Sequence, residues 1–233
     1  MEGSTPVLSL AVVERGGALL SHLRFDEGES HSRLLPGVLD ELLQRAGIGP
    51  EALSGVAVGI GPGAFTGLRV ILATAKGIAY ARKLPLVGIS TLEALALGAR
   101  QAPEGATLVP LLDARKKEVY AGFHRKEGEG VVALAPPAAL SPQALVERLA
   151  ELPSPLVVFG EGYRVYREVI DAATEGRRFE SGEFPRFPDA AEVGLLAFAR
   201  ERVFSPAEIF ALEPDYVRRS DAELGWTRPK RGI

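Results

Sequence analysis

One stretch of the sequence, GIGPGAFTGLR at residues 59–69, constrains the fold more than any other. It places four glycines and a proline between a short apolar run, GVAVGI, and a long run of small and apolar residues that ends near Arg82. The first run is typical of a buried strand, and the second has the length of a helix. The glycine turn between them is either a phosphate site at a helix N-terminus or a tight turn alone.

The turn departs from both common nucleotide-binding motifs. Gly61 and Gly67 are separated by five residues, whereas a P-loop has four residues between its glycines and then a lysine and a hydroxyl residue. The run GIGPGA fits the dinucleotide pattern G-x-G-x-x-A, but the next strand, KLPLVG, supplies no acidic residue for a ribose. The sequence therefore favours a structural turn or a vestigial phosphate loop. The residues of this turn are Gly61, Pro62, Gly63, Thr66 and Gly67.

The helix after the turn, expected at about 67–82 with Thr66 as its cap, is apolar on nearly every side. A helix of this kind is buried on every side. One side faces a sheet, so the other needs a second helix of this chain or another protein, and the pattern leaves that choice open. Ala73, Gly77 and Ala81 form a smooth strip that lets another backbone come close, at a cost of about 1 kcal/mol for the glycine.

The order of strand and helix patterns predicts an α/β protein in two lobes, with mixed sheets flanked by helices. A hairpin is expected at 6–25 and two further strands, joined at a charged turn, at 107–125. The segment at 103–105 is expected to be a boundary, which gives lobes at 1–104 and 105–233. The apolar helix expected at about 190–203 belongs to the second lobe in sequence and is a candidate to pack back on the first.

Composition narrows the classes of function. The net charge is −3, whereas a chain whose main partner is nucleic acid is usually basic, so any RNA contact is local. The chain has no cysteine, which excludes disulfides and thiolate metal sites. No run approaches the length of a membrane span and no apolar leader follows Met1, so we expect a soluble, cytoplasmic protein without a membrane partner. The lack of asparagine favours a thermophilic source.

The glycine turn and its helix, continued through ARKLPLVGISTLEALA, resemble the signature of the TsaB (YeaZ) family. HSRLLPGVLDELLQRAG, LLDARKKEVYAGFHR and EPDYVRRSDAE are similar to further blocks of the family in the same order, so the resemblance covers nearly the whole chain. It implies an actin-like (ASKHA, ribonuclease-H-like) fold. It also implies a role in making N6-threonylcarbamoyladenosine at the adenosine 3′ of the anticodon, in tRNAs that read codons beginning with A.

The resemblance further implies a subunit without catalysis of its own. In the family's pathway a synthase makes threonylcarbamoyl-adenylate and the transferase TsaD uses it; TsaB-like proteins pair with TsaD, or with themselves, and the ATPase TsaE joins the complex. The chain is expected to meet tRNA only through that complex and to hold no cofactor alone, with ATP or ADP bound only within the complex. Pairing is expected through the helices at 34–46 and 67–82. The predicted partner interface is Leu35, Leu39, Leu42, Val70, Thr74, Gly77, Ile78 and Ala81.

The histidines agree with such a subunit. TsaD-like transferases hold a metal with an H-x-x-x-H pair on one helix face, whereas His22, His31 and His124 are unpaired in the sequence. We therefore predict neither a catalytic site nor a metal site. Two other interpretations stay open: an ATP-dependent kinase-like enzyme of the same superfold, and a homodimeric binding module unrelated to tRNA.

The family pattern is broken at the N-terminus. Relatives begin with an apolar strand that ends in Asp-Thr-Ser, whereas here Ser4 and Thr5 remain, Gly3 takes the aspartate's place, and only Met1 and Glu2 precede it. A central strand of the first lobe is therefore expected to be missing. Its neighbours would then have unpaired backbone groups in a core.

Two charged segments are candidates for contact with RNA. The run 113–118 is a charged turn, which is either a solvated hairpin tip or a contact with tRNA or a partner. The C-terminal segment combines cations with Trp226, and such groups hold phosphates and stack on bases. A frayed basic tail is the alternative. The possible RNA contacts in that segment are Arg228, Lys230 and Arg231.

Overall fold

The computed structural model describes residues 1–26, 31–179, 182–200 and 203–218. It is a mixed α/β structure with sheets flanked by helices, as the sequence predicts. Within these ranges no helix is both long enough and apolar enough to cross a membrane. The first part contains β1 Val7–Val13, β2 Leu19–Asp26, α1 His31–Ala46, β3 Val56–Gly61, α2 Phe65–Arg82, β4 Leu86–Ser90 and α3 Thr91–Leu97. The second contains β5 Thr107–Arg115, β6 Glu118–Glu127, β7 Gly130–Leu140, α4 Pro142–Glu151, β8 Leu156–Phe159, α5 Glu161–Val165, α6 Arg167–Ala173, α7 Ala190–Phe198 and α8 Pro206–Ala211.

Met1 and Glu2 lie in the place of the central strand that was expected to be missing. β1 and β2 pair antiparallel, β3 and β4 pair parallel, and the N-terminal run lies between these two pairs. On one side Glu2 and Ser9 exchange two backbone hydrogen bonds of 2.8 Å. On the other side the Met1 carbonyl accepts from the Gly59 amide at 2.9 Å. No strand precedes Val7 in the described part of the chain, as the sequence predicts, and the short run before it supplies only part of the missing pairing.

The second sheet has the strand order β7-β6-β5-β8. β5, β6 and β7 pair antiparallel in succession, and β8 pairs parallel to β5. Apolar side chains cover both faces of the sheet: Leu108 and Leu111 of β5 belong to cores on opposite faces and are both fully buried. Burial on both faces explains why the strand patterns in this part of the chain are nearly continuous in apolar residues.

Helices pack across the division of the chain between residues 104 and 105. α3 precedes this division, yet its Leu92 lies in a core of the second sheet. α7 follows the division and returns to the first sheet, where Val193 packs with Ile89 of β4. α8 also returns and lies on α2, with the rings of Phe210 and Tyr80 5.3 Å apart. The surroundings of α2 therefore include chain segments that are distant from it in sequence.

Candidate functional site

The glycine turn between β3 and α2 is filled by the protein's own backbone. Gly61 has a φ of 112°, in the region that favours glycine, and a Cβ there would lie 3.0 Å from the carbonyl oxygen of Asp215. A Cβ on Gly63 would overlap the carbonyl oxygen of Ser4. Close packing of three backbone segments therefore accounts for these glycines.

The first turn of α2 is capped from a distance and not by Thr66. The helix begins at Phe65, with Ala64 in the N-cap position and no side chain bonded as a cap. The Ala64 amide instead donates to the carbonyl oxygen of Ser4 at 2.6 Å. The prediction that Thr66 caps α2 is wrong, because the helix starts earlier than expected and the N-terminal segment supplies the acceptor.

The surroundings of the turn do not fit a phosphate group. Carbonyl oxygens of Gly3, Ser4 and Asp215 make the closest approaches to its glycines, and such oxygens repel an anion. The Gly61 amide already donates to the Thr91 hydroxyl at 3.2 Å. Two of the amides that a phosphate cradle would use, those of Gly61 and Ala64, are therefore already bonded within the protein, and carbonyl oxygens lie against the glycines.

A buried carboxylate beside the turn was missed in the sequence. Glu2 is 0% exposed, and its side chain accepts from the Ser4 amide at 2.6 Å and from the Thr91 hydroxyl at 3.3 Å. Burial raises the pKa of Glu2, which favours its neutral form. Gly3 was compared with the family's aspartate, whereas the acidic side chain stands one residue earlier. The presence of Glu2 directly before Gly3 was the available signal.

Three sides of α2 are covered by the chain itself. Ile71, Ala75 and Ala79 face the sheet and are 0% exposed. α1 lies along one flank of the helix. α8 lies along the other flank, where the Lys76 ammonium donates to the Phe210 carbonyl at 3.1 Å. Part of the burial that the sequence predicts for this helix is therefore intramolecular.

The fourth side of α2 is open. It carries Ala73, Gly77 and Ala81, which are all exposed and are called the outer strip below. No atom of the described residues lies within 4 Å of the place where a Cβ on Gly77 would sit. At the edge of the strip, the Thr74 hydroxyl donates to the Val70 carbonyl at 2.9 Å, so its polar group is turned to its own helix. The outer strip is therefore smooth, apolar and without a neighbour in the described part of the chain.

Two residues predicted at a partner interface lie in the core. Leu35 and Leu42 are 2% and 4% exposed and belong to the core of the first sheet. Leu39 and Ile78 are partly buried against the same core. The apolar stripe of α1 marks its inward face, so a partner on the outside of the helix cannot reach Leu35 or Leu42, and both are removed from the predicted interface.

His22 joins β2 to the start of α7 and does not belong to a catalytic triad. Its Nε2 lies 3.0 Å from a carboxylate oxygen of Asp189 and 3.1 Å from the Ser9 hydroxyl. The hydrogen bond to Asp189 raises the pKa of His22. A triad uses one ring nitrogen toward serine and the other toward the carboxylate. Here both partners contact the same nitrogen and Ser9 is fully buried, so the group cannot pass a proton from an accessible nucleophile.

The other two histidines are also engaged within the fold. His31, at the start of α1, has its Nε2 3.1 Å from the Thr5 carbonyl oxygen. His124, on β6, is buried, and burial lowers its pKa to about 4. Its Nδ1 has no hydrogen-bond partner among the described residues. Across the same residues, no three metal-ligating side chains are grouped together.

The hairpin of β5 and β6 ends in a basic tip with an unusual backbone. Arg115, Lys116 and Lys117 have φ values of 62°, 51° and 64°. Two-residue hairpin loops with this backbone favour Asn-Gly, because the left-handed conformation costs other residues roughly 1–2 kcal/mol. The Arg115 side chain is 77% exposed, and both lysines are exposed. Three cations are thus held where local backbone preferences oppose them.

Residues 212–218 run from the glycine turn to this hairpin. The Asp215 amide donates to the Ile60 carbonyl at 2.7 Å. Further along, the Arg218 guanidinium donates to the Glu118 carboxylate of β6 at 2.9 Å. This segment therefore connects the first sheet to the basic hairpin. The possible RNA contacts predicted at Arg228, Lys230 and Arg231 lie outside the described residues.

Taken together, the sheets and the helices that cross between them define a two-lobed, actin-like α/β protein with a structural glycine turn. A family model described as TsaD, tRNA N6-adenosine threonylcarbamoyltransferase, matches residues 27–226, which is most of the chain. The chain belongs to this family, and within it to TsaB (YeaZ).

Two curated relatives are described as tRNA threonylcarbamoyladenosine biosynthesis protein TsaB. The one from Bacillus subtilis is 24% identical and the match covers 99% of this chain and 98% of the relative. The one from Escherichia coli is 28% identical over 88% of each chain. A solved Pseudomonas aeruginosa structure, described as an uncharacterized protein with similarity to peptidase YeaZ, has a TM-score of 0.74 at 24% identity and covers 93% of this chain and 97% of its own. That likeness shows the fold, and the contacts of His22 give no support to a peptidase.

Proposed function

We propose that this chain is a non-catalytic subunit that pairs with a TsaD-type transferase in the formation of N6-threonylcarbamoyladenosine on tRNA. Similarity over nearly the full length of relatives named for that pathway supports the pathway. TsaE joins the pair, and the chain contacts tRNA only as part of the assembled complex. The proposed location is the cytoplasm, because the tRNA is there.

The proposal that the chain pairs with a transferase rests on the outer strip of α2. The exposed face of a surface helix ordinarily carries charged or polar side chains, whereas Ala73, Gly77 and Ala81 carry none. Glycine in a helix interior costs about 1 kcal/mol relative to alanine, and no neighbour among the described residues requires it here. Close approach of another backbone accounts for both features. A second copy of this chain competes for the same strip, so self-pairing and pairing with the transferase exclude each other.

The geometry around the turn supports a subunit without nucleotide chemistry of its own. Carbonyl oxygens occupy the surroundings of Gly61 and Gly63, and His22 and His31 are held in contacts within the fold. ATP or ADP is therefore proposed to bind only within the complex. The kinase-like alternative predicts micromolar binding of ATP with Mg²⁺ to the isolated chain, which calorimetry measures directly.

Reconstitution tests the proposal. The adenylate synthase, TsaD, TsaE and ATP are mixed with unmodified tRNA, with and without this chain, and modified adenosine is measured. Ala73→Arg, which puts a charge on the outer strip, is expected to abolish both stimulation and pairing. Ala150→Arg, at an exposed position of α4, is the matched control and is expected to leave both unchanged. Full modification without the chain, or wild-type stimulation by Ala73→Arg, contradicts the proposal.

A further inference from the structure

We infer that the tip of the β5–β6 hairpin, formed by Arg115, Lys116 and Lys117, contacts the phosphate backbone of RNA. The identity of that RNA as a tRNA rests on the proposed function, whereas the site itself rests on the geometry and charge of the hairpin.

The backbone of the tip is not the one that its residues prefer. All three cations have positive φ, and Arg115 also lies at an irregularity in the pairing of β5 with β6. Glycine and asparagine adopt this conformation with less strain, and they would supply no charge. Strained backbone of this kind persists where a functional contact depends on it. The arrangement presents three neighbouring cations at the end of the hairpin.

The acidic neighbours of the tip are already engaged. One Asp113 oxygen accepts from the Arg115 amide at 2.8 Å, and the other lies 3.4 Å from the Arg115 guanidinium. Glu118 is paired with Arg218 at 2.9 Å. Lys117 has no ion-pair partner within the described ranges. The two acids of the hairpin are therefore paired with Arg115 and Arg218, and they do not neutralise the charge of Lys117.

The shape of the tip fits a polyanion better than a small phosphate ligand. Sites for small molecules are concave, whereas this is the exposed end of a hairpin. Cavities of about 370 and 380 Å³ lie elsewhere, one beside α3 and α7 and one beside α4, and neither is lined by the tip. Exposed lysines and arginines that contact phosphates without enclosing them are typical of nucleic-acid backbone contacts. With a net charge of −3 on the whole chain, such a contact has to be local, as it is here.

Arg218 brings a fourth cation to the same hairpin. Its contact with Glu118 holds the end of the 212–218 segment against β6. The sequence continues from that point with further cations, beginning at Arg219. Arg218 is therefore the last described cation beside the tip, and the sequence after it carries the acids Asp221 and Glu223 as well as cations.

The test removes the two lysines while making the backbone more favourable. Lys116→Asn combined with Lys117→Gly places the preferred residues in the hairpin loop. Lys83→Gly is the matched control, because Lys83 is exposed, has a φ of 54° and lies at the end of α2. Binding of an unmodified tRNA transcript to the chain paired with TsaD is measured by fluorescence anisotropy over a range of salt concentrations. Pairing itself is measured separately by sedimentation.

The double variant is expected to pair normally and to melt no lower than wild type. The slope of the logarithm of its RNA affinity against the logarithm of salt concentration should fall by about one unit per lysine removed. Lys83→Gly should leave the slope unchanged. An unchanged slope in the double variant, with pairing intact, overturns the inference. Loss of pairing in that variant also overturns it, because the tip would then belong to a protein interface while the proposed function still stands.

Failure of the proposed function gives a different result. In that case the wild-type chain does not pair with TsaD, and the same salt titration is carried out on the chain alone. A slope that falls by about two units in the double variant supports the tip as an RNA contact without the complex. No detectable tRNA binding by the wild-type chain, alone or paired, overturns it.

Discussion

Replacing Gly77 with alanine separates the stability of the chain from its ability to pair. Gly77 is exposed within α2, and in the described part of the chain no atom lies within 4 Å of the position of the added Cβ. The methyl group therefore meets nothing in the isolated chain, and alanine is more favourable than glycine in a helix by about 0.8–1.0 kcal/mol. For a domain of this size that gain corresponds to a rise of about 2–4 °C in melting temperature.

The same methyl group is expected to weaken pairing. If a partner backbone lies against the outer strip, the added group intrudes on it, and overpacking costs about 1–3 kcal/mol. That cost is about a 5- to 150-fold loss of affinity. Thermal unfolding followed by circular dichroism measures the first effect, and sedimentation with TsaD at several concentrations measures the second. Gly37→Ala controls for the gain in helix stability, since Gly37 is also exposed in a helix with empty space around it.

The two effects have opposite signs, which makes the experiment decisive. A variant that is more stable and pairs with unchanged affinity would refute the assignment of the outer strip to an interface. A variant that is less stable than wild type would show that the open side of α2 is covered after all. General damage to the fold lowers both quantities together and so cannot imitate the expected result.

The glycine turn and the buried histidine each give a further prediction. Gly63→Ala should lower the free energy of unfolding by more than about 3 kcal/mol, measured as a lower urea midpoint. The added Cβ would overlap the backbone of Ser4, whose carbonyl oxygen is held by a 2.6 Å hydrogen bond from the Ala64 amide. A decrease below about 0.5 kcal/mol contradicts this packing. His124 has a pKa of about 4 in the folded chain and near 6.5 in the unfolded chain. As the pH falls between these values, the unfolded chain binds a proton that the folded chain does not. The free energy of unfolding therefore decreases by up to about 3 kcal/mol across this range. In His124→Leu the free energy of unfolding should therefore change less with pH across this range. Equal pH slopes for the variant and the wild type contradict this prediction.

The strand, turn and helix around GIGPGAFTGLR could be predicted because their signals are local. Glycine and proline mark the turn, and the apolar residues after it mark a helix of the right length. The start of the helix was placed too late, and Thr66 was given a capping role that it does not have. The true acceptor is the carbonyl oxygen of Ser4, which no pattern near residue 64 reveals.

The surroundings of α2 show the same limit. Its uniform apolarity correctly predicts neighbours on several sides, but periodicity cannot say which segments they are. One of them is α8, which follows α2 by more than a hundred residues, and it covers a flank through Phe210. Leu35 and Leu42 were placed on a partner surface for a related reason: an apolar stripe marks a contact without showing whether the contact is with the core or with another chain.

The N-terminal residues and the glycine turn determine each other's structure. In a phosphate-binding turn, glycines leave room for an anion and backbone amides face it. Here the same absence of side chains leaves room for the backbone of Gly3 and Ser4, and the amides of Gly61 and Ala64 are bonded to Thr91 and Ser4. The same glycine pattern can therefore either bind an anion or pack against another backbone segment, and the sequence alone does not distinguish the two. What distinguishes them is the group that packs against the glycines, and in this chain it is backbone of Gly3, Ser4 and Asp215.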